Sequence, residues 1–222
     1  HIISLDQRGH GQSDWAPDGR YGTEQFASDL LGVMDHLGWE RMVVVGHSMG
    51  GHNSIGFSAW YPDRVRALCV VDSRPALPAE RLHAMHKRGH RGPRRHETLD
   101  LALRSFRLLP AETLAAPDLL EHLGREGIAE REGKFLYRFD PQCNGTRKPV
   151  DGWALLPGIK APTLLVRGEL SPIMPREMAE RMAAAIPSAT LVTMLGVYHH
   201  LVLDAPDAFS RVLDQFLRDL PD

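Results

Sequence analysis

The chain has 222 residues, 43% hydrophobic and 24% charged, with a formal net charge of −2. That length fits one domain with room for an inserted subdomain, and a chain of this size buries enough surface to need no disulfide or metal staple. The near-zero charge argues against a nucleic-acid partner, and no apolar run approaches the ~18 residues of a membrane span.

In chain order, Ile2-Ile3-Ser4-Leu5 reads as a strand. A helix follows over 23–37, where Phe26, Leu30, Val33, Met34 and Leu37 recur at three-to-four spacing as one buried face, and Gly38 stops it. Further strands are expected near 42–45, 66–71, 163–167 and 190–194, with helices near 50–60, 175–185 and 206–219. Short apolar runs alternating with helical patterns predict an α/β fold, a mostly parallel sheet with helices on both faces. The alternation breaks between about 76 and 160, where Leu99, Leu103, Phe106, Leu119, Leu120 and Leu123 keep helical spacing between Pro and Gly. This segment is expected to be an inserted helical cap over 76–158, with the core at 1–75 and 159–222.

Of the two cysteines, Cys69 lies in the apolar run Leu68-Cys69-Val70-Val71 and reads as a buried free thiol. That suits a reducing compartment, and the sequence opens without a secretory signal pattern, so the cytoplasm is the expected location. No Cys/His spacing of metal-ligand type appears, and no metal or other cofactor is expected. Arg81, Lys87, Arg88, Arg91, Arg94 and Arg95 form a basic stretch with no acid from 81 to 96. It reads either as a solvated loop or as an attraction for an anionic acyl substrate.

The chemistry concentrates on Gly46-His47-Ser48-Met49-Gly50, which follows the β-branched run Val43-Val44-Val45 and precedes a helical segment. Strand, Gly-x-Ser-x-Gly, helix is the context of a nucleophile elbow, which makes Ser48 the candidate nucleophile and the Met49 N–H an oxyanion donor. A serine needs a base and a group that orients the base. His199, in Gly196-Val197-Tyr198-His199-His200, follows the last strand and falls on the same sheet edge as the elbow. Two carboxylates close apolar strands and qualify as the acid: Asp72 after Val71, and Glu169 after Gly168.

Several stretches together resemble the α/β-hydrolase superfamily over essentially the whole chain. They are Asp6-Gln7-Arg8-Gly9-His10-Gly11-Gln12-Ser13-Asp14, the elbow, Tyr61-Pro62-Asp63-Arg64-Val65, Pro162-Thr163-Leu164-Leu165-Val166-Arg167-Gly168, and His199 followed by Asp204-Ala205-Pro206. In that family the acid commonly stands three residues after the glycine that ends the penultimate strand, a place held here by Ser171. Relatives similar to haloalkane dehalogenases carry it after the strand that follows the elbow helix, where Asp72 stands ahead of Ser73-Arg74-Pro75. The resemblance therefore implies a Ser48–Asp72–His199 triad, with Glu169 as the alternative acid. A serine at the nucleophile position argues against dehalogenase and epoxide-hydrolase chemistry.

The family fold also carries about three strands ahead of the one read at 2–5, and a loop there gives a second oxyanion N–H. The resemblance thus implies an N-terminally truncated chain lacking that donor, a loss worth on the order of 10²–10³ in rate. Three functions follow as expectations. The first is a serine hydrolase acting on a small carboxylic ester or lactone. The second is a carbon–carbon bond hydrolase of the ring-cleavage type on the same triad. The third is an inactive or non-catalytic hydrolase-fold fragment.

Overall fold

The structure is a computed structural model that describes residues 1–221. The chain divides into two compact units. One contains His1–Asp29, Pro78–Leu108 and Ala116–Pro149; the other contains Leu30–Leu77, Leu109–Ala115 and Val150–Asp222. Most of the segment read as a helical insertion therefore lies in the first unit together with the first 29 residues.

The second unit holds the sheet. Its strands are β1 (Met42–His47), β2 (Val65–Val71), β5 (Thr163–Gly168) and β6 (Ala189–Met194), in the order β1-β2-β5-β6 and parallel throughout. The strand expected at 2–5 does not form: residues 1–7 have no regular structure, and Ile2 is 98% exposed. β-branched residues favour a strand only when a ladder and a packed face receive them, and no strand among the described residues pairs with this segment.

β2 is buried along nearly its whole length, as a central parallel strand must be. Cys69 and Val71, with Leu164 and Val166 of β5, point to one face and pack against Phe209, Val212, Leu213 and Phe216 of α9 (Pro206–Arg218). Leu68, Val70 and Leu165, which alternate with them, are fully buried on the other face. α2 (Met49–Trp60) packs along β1 and β2, and α7 (Arg176–Ala185) along β5 and β6. A four-residue helix, α8 (Leu201–Asp204), leads into α9.

α1 (Thr23–His36) follows the expected range. Its periodic face is only partly covered: Phe26 and Met34 are buried, Leu30 and Val33 half-buried, and Leu37 exposed past the helix end.

The first unit carries α3 (Ala79–Gly89), α4 (Leu99–Ser105), α5 (Pro117–Glu126) and α6 (Gln142–Gly145). It is not wholly helical. An antiparallel hairpin joins β3 (Ile128–Arg131) to β4 (Lys134–Tyr137). Its two-residue loop, Glu132-Gly133, has positive φ at both positions, the twist that a tight hairpin needs. In the same unit, the basic residues from Arg81 onward lie mostly exposed on α3 and the turn after it.

Candidate active site

A parallel sheet brings the carboxyl ends of all its strands to one edge. Ser48 follows β1, Asp72 follows β2, Gly168 and Ser171 close β5, and His199 follows β6. Four segments far apart in sequence therefore meet along that edge.

Ser48 stands between strand and helix at φ 54° and ψ −114°, a conformation that costs a non-glycine residue energy and persists only where its surroundings enforce it. Its N–H donates to Val71 O at 3.0 Å, and the Ser73 hydroxyl donates to Ser48 O at 2.6 Å, so β2 and the loop after it grip the turn. A Cβ on Gly46 would lie 2.4 Å from Gly50 O, which is why the turn admits only glycine there. Met49 opens α2, so its N–H has no carbonyl one turn back and is free of the helical ladder.

The Ser48 hydroxyl lies 3.1 Å from His199 Nε2. His199 Nδ1 lies 2.7 Å from Asp72 Oδ2, and both side chains are almost completely buried. Next to a carboxylate, Nδ1 carries the proton and donates, which leaves the Nε2 lone pair to accept from Ser48. Asp72 is itself at φ 43° and is held by two further donors: the Gly168 N–H at 3.2 Å to Oδ1 and the Ser171 hydroxyl to Oδ2. Such bonds offset the several kcal/mol that burying a carboxylate costs. Ser171 Oγ in turn accepts from the Ile173 N–H at 3.1 Å.

Ser48, His199 and Asp72, the three residues singled out in the sequence, are thus brought into one hydrogen-bonded row. Glu169 is not: its exposed carboxylate accepts from the Gly196 N–H at 2.7 Å. Ser171, at the position where relatives commonly carry the acid, cannot serve as one; its hydroxyl donates to the Asp72 carboxylate.

The fold also brings His47 and His200 beside His199, a grouping that no sequence spacing marked. His47, His199 and His200 each place a ring nitrogen within 4.8 Å of those of the other two. Burial, and next the neighbouring His199, lower the His47 pKa to about 4. Burial also lowers that of His200. Elsewhere, burial raises the thiols of Cys69 and Cys143 to about 12, and both cysteines are free. Among the described residues no helix is long and apolar enough to cross a membrane.

A mostly parallel sheet with a serine elbow and a buried histidine–carboxylate pair at its carboxyl edge defines a class of hydrolases. Residues 1–206 match the alpha/beta hydrolase fold family, and the chain belongs to it. Esterase YbfF of Escherichia coli (strain K12) is 27% identical over 226 residues, which cover 99% of this chain and 83% of that protein. The 2-(acetamidomethylene)succinate hydrolase of Mesorhizobium japonicum is 26% identical over 218 residues, covering 97% and 77%. A crystal structure of an E-2-(acetamidomethylene)succinate hydrolase superposes with a TM-score of 0.81 at 24% identity, covering 96% of this chain and 79% of that one. That last likeness bears on the fold.

Proposed function

We propose that this chain is a serine hydrolase that cleaves a small carboxylic ester or lactone through an acyl-enzyme on Ser48. The observation that carries the proposal is the unbroken row from Ser48 Oγ through His199 to Asp72 Oδ2. The esterase name of the Escherichia coli relative supports the choice of ester among hydrolase substrates.

In this reading His199 Nε2 takes the Ser48 proton as Oγ attacks the carbonyl carbon, and Asp72 stabilises the imidazolium that forms. The tetrahedral oxyanion turns toward the Met49 N–H at the start of α2. His199 then returns the proton to the departing alkoxide. A water activated by the same ring breaks the acyl-enzyme and restores Ser48. No step calls on a cofactor. The 76–158 segment is assigned as the cap that selects the acyl group. Two buried free thiols fit a reducing compartment, the cytoplasm.

Labelling with a fluorophosphonate tests the nucleophile, and Ser48→Ala is expected to abolish both labelling and turnover, a loss on the order of 10⁶ in kcat. Product analysis on a p-nitrophenyl ester and on a dienoate tests the bond cleaved. Turnover of the dienoate alone would replace ester cleavage by carbon–carbon cleavage. Absence of Ser48 labelling would overturn both.

A further inference from the structure

We propose that His47, His199 and His200 form a three-imidazole site for a transition-metal dication of the zinc type, whose binding withdraws the His199 base from Ser48. The site goes beyond the hydrolase reading, and only its inhibitory consequence rests on that reading.

Proximity is the first argument. One ring nitrogen from each histidine lies within 4.8 Å of the others, and the ring centroids of the His47–His199 and His199–His200 pairs are 4.6 and 4.9 Å apart. In a tetrahedral zinc site with Zn–N bonds of about 2.0–2.1 Å, ligand nitrogens stand roughly 3.3 Å apart. The cluster needs a contraction of no more than about 1.5 Å to meet that spacing. Two of the ligands are consecutive residues in the loop after β6, and the third ends the elbow strand β1.

The second argument is the state of each ring. A metal-ligating histidine almost always gives its other N–H to a carboxylate or a backbone carbonyl, which fixes the tautomer and aims the lone pair. All three rings are arranged in this way. His47 Nε2 donates to His199 O at 2.9 Å, His199 Nδ1 to Asp72 at 2.7 Å, and His200 Nε2 to Pro110 O at 2.8 Å. The lone pairs therefore fall on His47 Nδ1, His199 Nε2 and His200 Nδ1. Three neutral imidazoles are a donor set for Zn²⁺, Co²⁺, Ni²⁺ or Cu²⁺ and a poor one for Mg²⁺ or Ca²⁺.

The consequence follows from His199 Nε2 having one lone pair. When that lone pair coordinates a metal it cannot accept the Ser48 proton, so an occupied site holds an unactivated serine. An ion bound there therefore acts as an inhibitor, and the ring movement needed to close on it lowers its affinity.

The test uses the full chain. Co²⁺ is titrated while its visible d–d bands are followed, and Zn²⁺ binding is measured by calorimetry. The expected result is one ion per site, with tetrahedral-type Co²⁺ absorption. His47→Asn and His200→Asn should each weaken binding at least about tenfold. His122→Asn, on the exposed face of α5, should leave it unchanged. Thermal melts establish that each variant is folded, and His47→Gln and His200→Gln serve where an Asn variant is not. Unchanged affinity in folded variants of both positions would overturn the site. Zn²⁺ should block fluorophosphonate labelling of Ser48, and EDTA should restore it. A bound ion that leaves the labelling rate unchanged would overturn the inhibition. Absence of labelling without metal would instead count against the hydrolase reading, while the Co²⁺ spectrum still decides the site.

Discussion

Replacing Asp72 by Asn separates the two candidate acids and changes almost no volume. The Asp72 carboxylate is fully buried and receives three donors: Gly168 N–H on Oδ1, and both His199 Nδ1–H and the Ser171 hydroxyl on Oδ2. An amide offers one acceptor oxygen and one donor nitrogen in the same space. With its nitrogen toward Gly168, two N–H groups face each other in a buried position, a cost of about 1–3 kcal/mol. The amide is therefore expected to keep its oxygen toward Gly168 and turn its nitrogen toward His199. His199 Nδ1 must then accept, which moves the ring proton to Nε2, opposite Ser48. A protonated Nε2 on a neutral ring cannot take the serine proton. The same change of tautomer in a serine-protease triad lowers kcat by about 10⁴, roughly 5–6 kcal/mol of transition-state stabilisation. The assay is kcat/KM on a short-chain p-nitrophenyl ester, beside a urea melt to show the fold intact. Glu169→Gln removes an exposed charge but keeps an amide oxygen able to accept from the Gly196 N–H, and should change stability by about 0.5 kcal/mol or less, leaving turnover near wild type. If Asp72→Asn keeps most of its turnover and Glu169→Gln loses it, the assignment of the acid is wrong.

Three further outcomes are expected. Ser171→Ala removes a hydroxyl donor from a buried carboxylate and an acceptor from Ile173 N–H, and should lower the free energy of unfolding in urea by about 1.5–3 kcal/mol, with no change if the hydroxyl contributes nothing. Gly168→Ala would place a Cβ 2.3 Å from Tyr198 O and 2.6 Å from Val197 O, which pushes on the loop that carries His199. Overpacking of this kind costs about 1–3 kcal/mol, and a shift of about 1 Å at the base costs about 10² in kcat/KM, so a variant with wild-type melting and turnover would refute the loop's tight seating. The lowered His47 pKa makes stability pH-dependent: between pH 6.5 and about 4 the unfolded ring binds a proton that the folded ring refuses. Its contribution is fully present above 6.5 and is lost as pH falls toward 4, by at most about 3 kcal/mol. In His47→Gln the urea midpoint should depend less steeply on pH over that window, and an unchanged slope would contradict the burial argument.

Ser48 and His199 were legible as candidates because each is tied to a local pattern: a β-branched strand running into Gly-x-Ser-x-Gly, and a histidine in the loop between the last strand and last helix. The four sheet strands were legible as short apolar runs between helical segments, and α1 by the three-to-four spacing of its apolar residues. The strand expected at 2–5 failed because propensity without a ladder does not make a strand. The 128–137 hairpin went unread because two four-residue strands are too short to display alternation. The candidates for the acid were two residues, which the sequence pattern alone did not separate, and the sheet order shows why. β2 and β5 are neighbours, so Asp72 and Glu169 close adjacent strands at one edge. What separates them is direction, since Glu169 turns to Gly196 and Asp72 to His199. Direction is set by loop conformation, including the positive φ of Asp72, which no periodicity encodes. The same adjacency accounts for Ser171. Standing beyond β5, beside the end of β2, it reaches the Asp72 carboxylate whether or not it carries an acid of its own. The histidine cluster is the extreme case: His47 and His200 are 153 positions apart in the chain and meet only at the sheet edge, so no sequence spacing encodes their grouping.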